Sequence, residues 1–231
     1  FYSTADFTEQ QVVQGGHEFR LGSEGLTLSS DITYAWTSPT LPGNTPIKSR
    51  TLVWTTQARY PLALRQSQAI WAGAGFDWVD QDVALAALPL NQDNLRVGWL
   101  RLEGSWADPA AFTGRSGFTP SEPHWSGNFN LELRKGFGIF NASARCTLST
   151  AACFAPGLTP ISRIEGDPQA FVLRLDSELT FRPVHDFAVV ATTRAQYAPH
   201  ALLSYEEFST GNFSVGRAYD PGTLLGDSGV G

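Results

Sequence analysis

Methionine is absent from the whole chain, the first position included. No charged leader followed by an apolar stretch can be read either, so there is no secretory signal to assign. The two absences suggest a piece of a longer protein. The other end suggests the same, since the chain stops at Gly229-Val230-Gly231 as a new segment begins.

Long apolar runs are also missing. No stretch of 18 apolar residues occurs, which excludes a transmembrane helix. A transmembrane barrel stays open, because its alternating strands are only weakly hydrophobic on average. Basic charge is scarce: 16 Lys and Arg stand against 22 Asp and Glu, a net charge of -6. A nucleic-acid partner would call for a basic patch, and none is expected. The four histidines, His17, His124, His185 and His200, are not spaced as metal ligands with one another or with cysteine. Neither a metal nor a cofactor is therefore expected.

There are only two cysteines, Cys146 and Cys153. Their spacing suits a disulfide closing a small loop in an oxidising compartment, the alternative being two free thiols. Neither has a neighbouring histidine to activate it. Serine chemistry has no better support: Ser209, Ser214 and Ser228 lack a G-x-S-x-G setting, and Gly226-Asp227-Ser228-Gly229 lies in no protease-like arrangement. We expect no enzyme.

What is plentiful is turn-forming residues, 22 Gly and 14 Pro, in a chain that is 42% hydrophobic. Between the turns runs an alternation with period two. Val13, Phe19 and Leu21 share a face, with Glu18 and Arg20 between them; after Gly22-Ser23-Glu24-Gly25, Leu26, Leu28, Ile32, Tyr34 and Trp36 continue it, which reads as a hairpin. The pattern returns at Leu52 to Tyr60, Ile70 to Trp78, Leu95 to Trp106, Phe129 to Phe137, Phe171 to Phe181 and Phe187 to Tyr197. A last strand is expected from about Ser204 to Phe213. Between Leu95 and Trp106 the apolar phase slips, and a β-bulge near Trp99 would restore a single outer face.

Charges keep to one side of these strands: Glu18, Arg20, Asp31, Arg59, Asp77, Glu132, Arg134, Arg174, Asp176, Glu178 and Arg194. Aromatics such as Tyr34, Trp36, Tyr60, Phe76, Trp78, Phe181 and Tyr197 stand towards strand ends on the apolar side. Strands of about ten residues with terminal aromatics fit a bilayer-spanning barrel better than a soluble sandwich. The expected fold is therefore all-β, an antiparallel transmembrane β-barrel in part. Its lumen would carry Arg59, Asp77, Glu132, Arg134, Arg174, Asp176, Glu178 and Arg194. Asp176 and Glu178 read as wall charges balanced by Arg174 and Arg194 rather than as catalytic carboxylates.

The glycine-punctuated stretch at about 211–227 gives a more specific signal. Leu202-Leu203-Ser204-Tyr205-Glu206-Glu207-Phe208, Gly211, Gly216-Arg217-Ala218-Tyr219-Asp220 and Gly226-Asp227-Ser228-Gly229 resemble the end region of the haemolysin secretion/activation family. These are the ShlB/FhaC/HecB or TpsB transporters of two-partner secretion, within the BamA/TpsB outer-membrane barrel superfamily. Gly22-Ser23-Glu24-Gly25-Leu26, Tyr60-Pro61-Leu62 with Arg65, and Ser162-Arg163 with Asp167-Pro168 are similar to other blocks of the same barrel.

The resemblance implies a sixteen-stranded outer-membrane barrel, a monomer set in lipid, that exports a large haemolysin- or adhesin-type exoprotein without ATP. Residues 1–231 would be its C-terminal barrel domain, incomplete at both ends. The motif loop would fold from outside into the lumen, with Arg217 as anchor, Tyr219 as the family aromatic, and an acidic partner beyond Gly231. Ala218 departs from the family's glycine. Counting strands back from this loop puts the loop outside, Pro199 to Leu203 at a periplasmic turn, and the cysteine-bearing span on the periplasmic side. Two other classes stay open on sequence alone: an assembly factor that inserts outer-membrane proteins, and a ligand-binding β-sandwich.

Overall fold

The computed structural model describes residues 2–3, 9–38, 40–41, 45–86, 88–114, 117–146, 153, 157–210 and 224–231. Its strands are β1 (Tyr2–Ser3), β2 (Gln10–Leu21), β3 (Leu26–Thr37), β4 (Thr40–Leu41), β5 (Thr45–Arg65), β6 (Gln68–Leu85), β7 (Leu88–Ala107), β8 (Trp125–Gly136), β9 (Phe171–Val184), β10 (Phe187–Tyr197), β11 (Phe208–Thr210), β12 (Leu224–Gly226) and β13 (Gly229–Val230). A 3₁₀ turn at Pro109–Thr113, capped by the Asp108 carboxylate, interrupts the connection from β7 to β8.

One antiparallel sheet holds nearly all of them, in the order β1-β2-β3-β5-β6-β7-β8-β9-β10-β13, with β4 beside β5. Neighbours in sequence are neighbours in space, as in an up-and-down barrel wall. β11 and β12 form a separate two-stranded sheet. Three strands exceed the expected ten residues by far: β5 has 21, β6 18 and β7 20.

The period-two alternation sorts the side chains as the sequence suggests. On the outer face, Leu100, Leu133, Leu179, Phe181, Val189 and Tyr197 are exposed. The register aligns the opposite face across the sheet, with Asp31 opposite Thr55, Thr55 opposite Asp77, Arg101 opposite Glu132, and Glu132 opposite Arg174.

The expected bulge near Trp99 is absent. Pairing runs unbroken through Gly75 and Trp99 to Arg134, and the register shifts lie elsewhere, at Pro61/Ala63, Val83/Ala84 and Phe187/Val189. Leu95, Val97 and Trp99 belong to the charged face itself. They are apolar because chain covers that face here, so the slip in the pattern marks a change of environment and not of register.

The strand expected at 204–213 is not formed over its described part. Ser204 to Glu206 is a turn, and only Phe208–Thr210 pairs, with Leu224–Gly226. Phe208 is 8% exposed, and the adjoining Leu202 and Leu203 1%, so these residues are apolar because they are buried and not because one side of a strand faces outward. The strand count changes with it. β8 ends and β9 begins where β10 ends, at Leu133, Leu173 and Tyr197. The cysteine-bearing span and the segment after β10 therefore leave the sheet at the same end, as the count had it. Leu224–Gly226 and Gly229–Val230, however, return beside Phe208–Thr210 and the end of β10, so the base of the motif loop lies at that end too, where the count placed the loop at the opposite one.

Candidate functional site: two inward segments latched to the charged wall

Two connections fold over the charged face instead of away from it. The first, described at 137–146, 153 and 157–170, follows β8; the second, 198–207, follows β10. β7 extends past the end of β8, which leaves its backbone at residues 92–96 without a strand partner on that side. The first segment supplies partners: Phe137 N–H donates to the Arg96 carbonyl at 2.8 Å, Ser143 N–H to Asn94 at 2.8 Å, and Gln92 N–H to Pro160 at 2.8 Å. Backbone groups taken out of water need such partners, so the overhang and the segment specify one another.

Beneath it lies an apolar cluster of Val79, Leu95, Val97, Cys146, Cys153, Ile161 and Leu203. Cys146 and Cys153 are joined by a disulfide, seven residues apart in sequence. Gly136 lets the chain turn in tightly, because a Cβ there would run into the Pro168 carbonyl. Between the segments and the wall, by Leu95, Val97, Arg134, Leu203 and Glu206, an empty space of only about 10 Å³ remains. That is room for about one water.

The second segment is held by charge. Glu206, 5% exposed, meets Arg134, 6% exposed: Arg134 Nε lies 3.1 Å from Oε2 and Nη2 2.8 Å from Oε1 of Glu206. Arg134 also donates from Nη1 to Glu132 at 2.8 Å and from Nη2 to Asp77 at 2.8 Å. Asp77 accepts from Trp99 Nε1 at 3.0 Å and Thr55 Oγ1 at 2.9 Å, and Arg101 pairs with Glu132. Arg174 Nη2 donates to Glu206 Oε2 at 2.7 Å, while Gln196 Nε2 donates to the Glu206 carbonyl at 2.9 Å. A buried charge is tolerated only when paired and hydrogen-bonded, and here each is.

A second clasp joins both segments to the base of the motif loop. Arg163 Nη1 donates to Asp227 at 2.6 Å, Glu207 at 2.7 Å and the Leu202 carbonyl at 3.1 Å. The Leu202 N–H donates to Asp227 at 2.8 Å. Burial alone would raise the Asp227 carboxyl, but the Arg163 and Leu202 hydrogen bonds outweigh it and leave it below the ordinary carboxylate value. The bond to Asp227 in turn raises Arg163 above its already high value.

Of the residues expected to line the interior, Asp77, Glu132, Arg134 and Arg174 come together around Glu206. Arg59 pairs with Glu103 at 2.7 Å, and Glu103 lies 3.7 Å from Arg101, which joins this pair to the hub through Glu132; Arg194 pairs with Asp176 at 3.2 Å, apart from it. Glu178 stands between Asn128 and Thr192 on the same face. Of the motif loop, Gly226 lies in β12 and Asp227 in the Arg163 clasp, whereas Gly216, Arg217, Ala218, Tyr219 and Asp220 lie outside the described residues. The sequence reading did not single out Glu206 or Arg163 as site residues, nor Trp99 as an inner residue. The signal for the first two was their place in the family-like blocks, and for Trp99 the slip in phase.

These features define a class: a partial antiparallel β-barrel with chain folded against its charged inner face. Among solved structures the fold is shared with CdiB from Escherichia coli, at a TM-score of 0.70 and 12% identity, over 96% of this chain and 37% of that one. CdiB from Acinetobacter baumannii is also similar, at a TM-score of 0.62 and 14% identity, over 97% and 36%. The chain thus spans little more than a third of either. No protein-family model and no curated protein matches the sequence.

Proposed function

We propose that this chain is the barrel wall of a bacterial outer-membrane translocator of the TpsB type, which exports a partner exoprotein through its interior. The fold shared with CdiB supports the outer membrane, protein transport and a TpsA-like exoprotein partner. The observation that carries the reading is the pair of segments latched across the charged face by Arg134 and Arg163. Apart from the apolar patch at Leu95 and Val97, which the first segment covers, a wall of balanced charge gives a translocating polypeptide little surface on which to stall, and a latched segment keeps the passage shut at rest.

On this reading the exposed outer face meets lipid and the barrel works as a monomer. The exoprotein is of the haemolysin or adhesin type, and it crosses without ATP. Arg59, Asp77, Glu132, Arg134, Arg174, Asp176, Glu178 and Arg194 line the lumen. The motif loop 211–227 enters from outside, with Arg217 as its anchor, and the Arg163 clasp fixes where the loop returns. The disulfide fits an oxidising compartment.

The test is secretion. The full-length gene is co-expressed with the neighbouring exoprotein gene in a host without such systems, and exoprotein is scored in medium and periplasm. Release into the medium that depends on this protein, and that falls in Arg217→Ala, is the expected result. Periplasmic retention with the barrel correctly inserted would sink the transport reading.

A further inference from the structure

The outer face carries a depression where the sheet has almost no side chains. Gly98 and Ala74 form its floor, and Leu100, Leu133, Phe137 and Phe171 its walls. Its volume is about 480 Å³, within the range of small-ligand pockets, roughly 300–1,000 Å³. Arg134 reaches the edge of this space, but its guanidinium is committed inward to Glu206, Glu132 and Asp77, so it adds only its stem here. The polar group that remains is Lys135 at the rim. Its ammonium donates to the Gln169 carbonyl at 2.5 Å, and an ammonium has three donors, so capacity is left for an anion.

We propose that this groove binds one acyl chain of an anionic, phosphate-bearing membrane lipid, with the phosphate against Lys135. The inference rests on the outer face meeting lipid. Walls without a polar group suit a hydrocarbon chain, and a single cation at one end selects a headgroup of opposite sign. The groove is continuous with the exposed Leu100 and Leu133, so a chain enters sideways from the surrounding lipid. Its far wall, Phe137, begins the first inward segment. A seated lipid therefore braces the base of that segment from outside.

The full-length protein in detergent is mixed with phosphatidylglycerol and phosphatidylcholine of equal chain length, and retained lipid is counted by native mass spectrometry. We expect a single phosphatidylglycerol to be held in preference. A Cβ at Gly98 would come within 2.8 Å of Phe137, so Gly98→Leu fills the groove and should weaken retention by roughly tenfold or more. Should that variant not fold, Leu133→Trp fills the same space from the wall. Lys135→Gln should keep chain binding and lose the preference for the anionic lipid. Unchanged retention in the folded groove-filling variant, or no lipid retained by the parent, overturns the proposal. Insertion into vesicles is measured alongside: a parent protein that inserts but retains no lipid refutes the groove alone, and one that never inserts refutes the membrane reading with it.

Discussion

Arg134 and Glu206 are 72 residues apart in sequence and meet in two hydrogen bonds, of 3.1 Å and 2.8 Å, behind the inner face of the sheet. The pair joins the wall to the segment folded across it. Because Arg134 also serves Glu132 and Asp77, it is the common cation of three carboxylates.

The two partners should therefore not be equivalent on removal. Arg134→Ala leaves three buried carboxylates with only Arg101 and Arg174 near them, and should cost about 3–5 kcal/mol, the range for an unpaired buried charge. Glu206→Ala leaves Arg134 two acidic partners and should cost less. Urea unfolding of the refolded full-length barrel checks the order; equal losses would count against a shared hub.

The Arg163 clasp should open in acid. Asp227 has its pKa lowered by folding, so its contribution is complete above the ordinary carboxylate value of 3.8 and is lost as pH falls through the depressed folded value. Arg163 stays charged throughout, which leaves Asp227 as the group that titrates in this bond. Protease cleavage near 224–228 should rise below about pH 4 and stay flat from there to pH 8. Arg163→Gln should raise cleavage at neutral pH and flatten the acid step.

The disulfide should stiffen the first inward segment rather than the sheet. Closing a loop of about eight residues is worth about 2–3 kcal/mol in the chain-entropy account. Reduction, or replacement of Cys146 and Cys153 by serine, should speed amide exchange around Ile161 and leave that of β9 and β10 unchanged. Faster exchange throughout the wall would show that the segment supports the whole sheet.

Gly136→Ala should unseat the same segment without touching a charge. The added methyl would meet the backbone of Pro168 and Gln169, which has no flexible end to move aside. Loss of the Phe137 to Arg96 and Gln92 to Pro160 hydrogen bonds should follow, read as new protease sites within 137–170, with the eight long strands still protected.

All eight long strands were legible in the alternation, because a strand with one face in each environment must write period two into its residues. Gln10–Leu21 against Leu26–Thr37 shows the case: a four-residue turn and complementary faces leave one register. The same rule misled at Ser204 to Thr210, the described part of the last expected strand, and at Trp99. There apolar residues serve an interior made by distant chain, and alternation holds no record of what covers a face.

By itself the sequence determined the all-β class, the strand order in which neighbours pair, and the side on which charge would gather, since each depends on residues close together along the chain. The tertiary structure alone decided that two connections fold inward at one end and that Glu206 and Arg163 are their clasps. Those facts come from contacts such as Arg134 with Glu206 and Arg163 with Asp227, spanning 72 and 64 residues. An ion pair needs only charge and proximity, and proximity across the sheet is a property of the assembled wall.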